Sequence, residues 1–413
     1  MPLFNKIPFI VLSGAALLLP AMSVNYPRGF YLVAVALVLF SWLLLPSLKS
    51  QKKLYSSEYL LIASCLFYPG LVFVDMYVRQ GHWVWAEFQE SSRFILLIPV
   101  FFLARKYGLN EGVIKWGVLC GAVAAGGWAY YQKNMLGISR VWGGTSSLIN
   151  AFGDISLLLG VLSVVLFQPK WSKDKRWWFL VITALAFGLF GSLASGAKGG
   201  WISLPVLAWV LVDLSAKPTF IKRILVVSLF AVFALVVWYV SPFIQTRVSM
   251  VIPAIATYYQ TGEVFDGSAG IRLSLWHASW LIFIENPWFG VGLGNFYENL
   301  LGLIEAGRID VQAGVIHHPH SQFFYGLSSF GLWGPAAVFS IYSAFFWHFK
   351  SHLGQNKALS VAGIIICLAY IDFGLVELIW DINNAGVFFT MMMALMSGKL
   401  SHDRNKGGSP QVH

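Results

Sequence analysis

Charge is what this chain has least of. Only 11% of its 413 residues are Asp, Glu, Lys or Arg, while 57% are hydrophobic. Soluble domains carry about a quarter charged residues, so a water-soluble globular domain of this length is excluded. Acidic residues are scarcer than basic ones, 18 against 28, which leaves a formal charge of +10. That excess is scattered through short loops. It forms no basic patch for nucleic acid and reads instead as orientation information in a membrane. Cysteine is rare as well. Cys65, Cys120 and Cys367 each lie within an apolar run and form no Cys-x-x-Cys pair, which excludes a disulfide framework and a zinc–thiolate site. There is no internal repeat, heptad array or low-complexity tract, so solenoid and coiled-coil architectures are excluded too. Gly290-x-Gly292-x-Gly294 has neither a preceding strand nor a following Lys-Ser/Thr, so it is not a nucleotide-binding loop.

What is present is a series of apolar runs near the length that crosses a bilayer. They are long and do not alternate, so the spans are helices rather than barrel strands. The fold class expected is an all-α integral membrane protein of about twelve spans. They fall near 7–24, 29–47, 57–77, 92–104, 110–131, 151–168, 177–197, 199–216, 224–242, 320–348, 358–380 and 383–398. Lys6, Lys49, Lys52, Lys53, Arg105, Lys106, Lys115, Lys170, Lys173, Lys175, Arg176, Lys217, Lys222, Arg223, Lys350, Lys357, Lys399, Arg404 and Lys406 all fall on one side of that pattern. The positive-inside rule puts this side, with both termini, in the cytoplasm. The first span, with Lys6 ahead of it and Pro20-Ala21-Met22-Ser23 after it, has the outline of a signal peptide. It is expected to be retained, because Arg28 and the next span follow at once. The chain then divides into spans one to nine (1–242), an outer loop with interfacial helices (243–319), spans ten to twelve (320–398) and a cytoplasmic tail (399–413).

Nine basic residues fall on the outer side: Arg28, Arg79, Arg93, Lys133, Arg140, Lys198, Arg247, Arg272 and Arg308. Arg28, Arg79 and Arg93 read as ordinary solvated loop charges. Three others sit in suggestive surroundings. Lys198 lies in Ser195-Gly-Ala-Lys-Gly-Gly-Trp201, a small-residue turn between two spans, where a phosphate would pair with it. Arg272 opens a helix, where the dipole disfavours a cation and favours an anionic partner beside it. Arg140, in Ser139-Arg140-Val-Trp-Gly143, is a weaker third. At the re-entry into span ten stand His317, His318 and His320, followed by Gly331 and Gly334 one turn apart. Imidazole is the side chain best suited to proton transfer near neutral pH. His320 is the candidate base, His318 the reserve candidate and His317 a supporting residue. Pro319 breaks the helical spacing that a His-x-x-x-His zinc site needs, so no metal or cofactor is expected. Asp372, deep in an apolar run, should be paired, protonated or functional. Glu377 is placed near the outer rim and Asp381 beyond it. No Asp-x-Asp pair occurs on the outer face, which argues against a metal-dependent nucleotide-sugar enzyme.

Outward cations beside an outward histidine suit glycosyl transfer from a lipid-linked diphosphate, with the cations stabilising the leaving group. Here the sequence resembles the bacterial O-antigen ligase family, related to O-antigen polymerases and pilin O-oligosaccharyltransferases. His320-Ser321, nine residues, then Gly331-Leu-Trp-Gly334 matches the family's His-[Asn/Ser/Gln]-x9-Gly-x-x-Gly pattern. Gly270-Ile-Arg272-x3-Trp276 and Asn286-Pro287-x-x-Gly290-x-Gly292 match as well. Ala197-Lys198-Gly199-Gly200-Trp201 is similar to its Ser-Arg-Gly-x-Trp segment, with lysine at the arginine position. The resemblance implies an enzyme of the bacterial inner membrane with its site facing the periplasm. The donor would be undecaprenyl-diphosphate-linked O-antigen and the acceptor a sugar hydroxyl of lipid A core. His320 would be the general base, and Arg272, Lys198 and Arg140 the diphosphate ligands. Transfer would be inverting and independent of metal or nucleotide. A pilin Ser/Thr acceptor and a growing glycan chain are the alternative acceptors. The short tail after span twelve favours the lipid. A permease or flippase is the rival of a different class, with Asp372 as a coupling site. The lack of paired broken helices in the two halves speaks against it.

Overall fold

The computed structural model describes residues 3–46, 52–81, 85–144, 149–171, 174–197, 199–201, 204, 219–240, 242–264 and 268–407. Among these the secondary structure is helical, with no strand. The first helices are α1 (Leu3–Met22), α2 (Pro27–Leu43), α3 (Ser56–Val74), α4 (Trp85–Tyr107), α5 (Glu111–Tyr130), α6 (Ile149–Trp171) and α7 (Arg176–Ser195). Then come α8 (Phe220–Val240) and the shorter α9 (Pro242–Ser249), α10 (Val251–Thr261), α11 (Ser268–Glu285) and α12 (Phe296–Glu305). The last four are α13 (Gln322–Phe330), α14 (Trp333–Lys350), α15 (Lys357–Val376) and α16 (Asn383–Gly407).

Helix boundaries follow local chemistry. Pro27 opens α2, where a missing N–H leaves no bond unmade. Glu58 reaches back to accept the Tyr55 N–H at 2.8 Å, which fixes the start of α3. Asn110 caps α5 by accepting from Gly112 N–H. In the bundle α4 lies along α16, α1 along α5, α6 between α7 and α15, and α3 along α14. Glycines let α6 and α7 approach closely: a Cβ on Gly188 would strike the Ser156 carbonyl at 2.5 Å. Among the five helical stretches long and apolar enough to cross a membrane, those of α6 and α15 are the most enclosed, whereas Leu32, Leu39 and Leu43 of α2 and Phe179 and Ile182 of α7 point outward. A rim of exposed aliphatic and aromatic side chains is stable in lipid and not in water.

Among the described residues, five helical stretches are long and apolar enough to cross a membrane: Ser56–Gln80, Glu111–Met135, Ile149–Gln168, Arg176–Ser195 and Lys357–Val376. Lys6–Met22 and Pro27–Leu43 are apolar but shorter. Of the eighth expected span, 199–216, the structure describes a 3-10 turn at Gly199–Trp201 and the isolated Leu204; residues 205–218 lie outside the described residues. Span ten, expected to run unbroken over 320–348, is two helices. Gly331 adopts φ +61°, ψ −138°, a conformation essentially reserved for glycine, and separates α13 from α14. Its Cα lies so close to the Pro287 carbonyl that a Cβ would collide with it, and Leu332 N–H donates to that same oxygen at 2.9 Å.

The 286–294 turn is likewise fixed rather than loose. Val291 and Gly292 N–H donate to the Ser328 and Ser329 carbonyls, both at 2.9 Å. Asp75 accepts from Leu293 N–H at 2.8 Å. Arg79 is therefore no solvated loop charge: it pairs with Asp75 at 2.7 Å and donates to the carbonyls of Phe289 and Gly290. Nor is Arg93, which is buried and donates to Trp380 O at 2.6 Å and to Asn383 Oδ1. Arg105, counted among the cytoplasmic loop charges, is buried too, in a two-pronged pair with buried Glu58 at 2.8 and 3.1 Å. A planar fork is what makes such a buried pair geometrically complete.

Candidate functional site

Three helices aim His320. Trp276, on α11, donates its indole N–H to Pro319 O at 3.1 Å and stacks on Phe324 with ring centres 5.3 Å apart. Ser321 Oγ donates to Gly374 O near the end of α15 at 3.2 Å. Between these two anchors His320 takes φ +48°, and among the described residues it is the one non-glycine with a positive φ. Such a conformation persists only where its surroundings enforce it. The His320 N–H donates to His318 Nδ1 at 3.3 Å, and the two rings lie 4.3 Å apart.

The His320 ring meets the carboxylate of Glu377, Nδ1 to Oε1, at 2.9 Å. Glu377 stands just beyond α15 in an extended conformation and is buried. Its other oxygen accepts from Asn150 Nδ2, at the start of α6, at 3.1 Å. A carboxylate can only accept, so Nδ1 carries a proton, and in the neutral form of the ring Nε2 offers its lone pair to a substrate. Burial pushes the Glu377 carboxyl up, but the bond and charge of His320 and the Asn150 bond outweigh it and hold it below its ordinary value. Burial lowers the His318 pKa, reinforced by His320 and His317 and opposed by Glu377. The net shift favours the neutral imidazole.

Arg272 lies one turn before Trp276, so its side chain leaves α11 on the same face. It sits in the second turn of that helix rather than at its start. Its Nε is buried and makes no hydrogen bond among the described residues. Burial lowers its pKa, while Glu377 and Asp154 act the other way; at neutral pH the guanidinium stays charged. Asp154, buried in α6, accepts from Gly200 N–H at 3.0 Å. Lys198 itself lies outside the described residues. Its neighbours are buried: Ala197 N–H donates to Ser195 Oγ at 3.1 Å, and a Cβ on Gly199 would meet Val376 at 2.9 Å. This turn thus packs beside the end of α15, next to Glu377. Arg140 donates from Nε to Ser195 O at 3.0 Å, at the other side of the turn.

The structure therefore joins His320 and His318 directly and couples Arg272 to the pair through Glu377. Arg140 meets the base of the 195–201 turn. His317 packs at a tilt against Tyr297, with ring centres 4.0 Å apart. Glu377, expected at the rim, stands at the centre. Asp154 and Asn150 were not singled out from the sequence. The signal for Asp154 was the one that marked Asp372, a carboxylate inside an apolar run. Asp372 is buried in α15 and electrostatically coupled to Asp154. The nitrogens of His318 and His320 and a Glu377 oxygen lie within 4.8 Å of one another, a set that could hold a divalent cation. The His320–Glu377 bond already occupies one donor atom of each. Beside the pair opens a cleft of about 630 Å³, with His318 and Glu377 in its wall.

A family model described as O-antigen ligase matches residues 183–339. A Haemophilus influenzae (strain Rd) protein, named only as uncharacterized, is 24% identical over 379 residues, covering 89% of this chain and 92% of that protein. The matched segment holds Lys198, Arg272, Trp276 and the whole His320–Gly334 stretch, while Asp154 and Glu377 fall outside it. By that segment the chain is a relative of the O-antigen ligase family.

Proposed function

We propose that this protein is an O-antigen ligase, a glycosyltransferase that moves O-antigen from undecaprenyl diphosphate to a sugar hydroxyl of lipid A core. The observation that carries this reading is the juxtaposition of a histidine–carboxylate pair with a half-buried arginine whose Nε is buried and has no hydrogen-bond partner among the described residues. An unmatched buried donor on a cation is the natural seat of an anionic ligand. Arg272, with Lys198 and Arg140, would hold the donor's diphosphate. His320 Nε2 takes the proton of the acceptor hydroxyl. The acceptor oxygen bonds to the anomeric carbon as the bond from that carbon to the diphosphate oxygen breaks, and configuration inverts. Glu377 stabilises the imidazolium, and the cations stabilise the charge gathering on the departing diphosphate. No step calls on a metal or nucleotide. In this reading the twelve-span topology holds, the 243–319 segment and the site face the periplasm, and both termini are cytoplasmic.

The test uses purified protein with a polyprenyl-diphosphate glycan, a lipid A core acceptor, chelator and no nucleotide. Wild type should transfer glycan without any ion gradient. His320→Ala, folded and still binding donor, should lose about 10²- to 10⁴-fold in rate. An unchanged rate would reduce His320 to a structural histidine. Transfer to a pilin peptide or to a second glycan, with none to the lipid, would keep the donor chemistry and replace the acceptor. Turnover that requires a proton gradient would point to a transporter.

A further inference from the structure

We propose that the cleft beside the His320–Glu377 pair is the acceptor pocket, and that Glu90 and Asp381 make it admit sugars that are uncharged or carry an amine and reject phosphorylated ones. This rests on the glycosyl-transfer reading and adds acceptor selection to it. Its volume of about 630 Å³ lies within the range of roughly 300–1,000 Å³ typical of small-molecule sites. Three carboxylates line it, those of Glu90, Asp381 and Glu377, together with Tyr297, Tyr325 and Asn383. No lysine or arginine among the described residues lines it. Carboxylates accept from sugar hydroxyls and from ammonium groups, and aromatic walls suit the apolar faces of sugar rings.

Arg93 is a counter-charge coupled electrostatically to both Glu90 and Asp381. It lies behind the wall, with its guanidinium engaged by Trp380 O and Asn383 Oδ1. His317 and His318 are the imidazoles in this wall, and burial shifts His318 towards its neutral form. The cationic elements approach Glu377 from elsewhere. Arg272 comes from α11, and the Gly199–Trp201 turn packs against α6 and α15; neither lines the cleft. Glu377 is thus the partition. Arg272 acts on it from α11, and the carboxylate-rich pocket opens beside it. Such a division keeps a diphosphate out of the acceptor pocket by repulsion, as well as drawing it to its own.

The experiment measures binding of three probes to the full chain in lipid nanodiscs by saturation-transfer NMR. They are octyl glycosides of glucose, glucosamine and glucose 6-phosphate, each below its micelle-forming concentration. Wild type should bind the first two about tenfold more tightly than the phosphorylated probe, and raised salt should narrow the gap. The double variant Glu90→Gln/Asp381→Asn, with an unchanged melting temperature, should bring all three within about twofold. The proposal is overturned if wild type binds the phosphorylated probe as well as the others, a result independent of whether the variant folds. It is also overturned if the folded variant keeps the wild-type order. Adding a polyprenyl-diphosphate glycan to the same samples separates the two ideas. The expected probe order with no glycan transferred would remove the transfer reading and leave the pocket's charge selection standing.

Discussion

His320 and Glu377 act as one unit, and each can be disturbed separately. Glu377→Gln keeps the size of the side chain but removes the charge that stabilises an imidazolium and fixes which ring nitrogen is protonated. Transfer should slow by about 10²-fold or more, with donor affinity unchanged, because the diphosphate is held by the cations instead. Single-turnover rates with pre-bound donor check this, and a rate within a few-fold of wild type would sink the base–carboxylate assignment. The same bond carries a pH signature. Glu377 is held below its ordinary value, so the folded state favours the ionised form. Its contribution to stability is complete above 4.5, the unperturbed value, and is lost as pH falls through the lowered folded value. Wild-type melting temperature should therefore fall on acidification through this window more steeply than that of Glu377→Gln. Parallel curves would show that the bond contributes nothing to stability.

Two turns joined backbone to backbone decide whether that pair can form. The Gly331 break and the 286–294 turn share hydrogen bonds, and Trp276 with Ser321 then points His320 at α15. Gly331→Ala places a Cβ into the Pro287 carbonyl in a conformation that side chains avoid. It should destabilise the protein by about 1–3 kcal/mol from the backbone alone, and more from the collision. Gly302→Ala is the counterpart, inside α12 with nothing within 4 Å of the added carbon. It should be neutral or stabilising by up to about 1 kcal/mol. Unfolding in matched detergent compares the two, and equal losses would discount the turn argument. The sequence showed the spacing of Gly331 and Gly334 but not the break. The residues between Phe323 and Phe349 are nearly all apolar, and hydropathy cannot distinguish a buried turn from a continuing helix. Arg79 and Arg93 were misread for a related reason: their partners are mostly backbone carbonyls, which leave no mark in a sequence.

Over the whole molecule, the contacts sort the connecting segments by end. Lys52 donates to Asn405 O at 2.6 Å, Arg404 lies 3.8 Å over the Tyr55 ring, His402 meets Arg105 O at 3.1 Å, and Asn356 donates to Glu111 at 2.6 Å. All belong to loops that the basic residues assign to the cytoplasm. The other end gathers Arg140, Ser195, Gly200, Arg272, His320 and Glu377, in segments between 140 and 377. That coming together was not legible. Asn150, Arg272, His320 and Glu377 arise from four separate stretches, and only the last three carry a local oddity that a reader of the sequence could mark. The alternation of charge is read from each loop independently, and the orientation expected rests on it. A membrane orientation follows that can be checked directly. Cys65 and Cys367 are buried, so replacing Cys120, the exposed one, leaves a background without a reactive thiol. In that background a single cysteine replaces Glu305, exposed at the end of α12, or Lys357, exposed at the start of α15. An impermeant maleimide added to spheroplasts should label Glu305→Cys at once, and Lys357→Cys only after the membrane is opened. The reverse pattern would turn the molecule over, place His320 in the cytoplasm, and exclude a donor carried in the outer leaflet. Labelling of both positions from outside would instead break the alternation of spans between α12 and α15, and with it the twelve-span count.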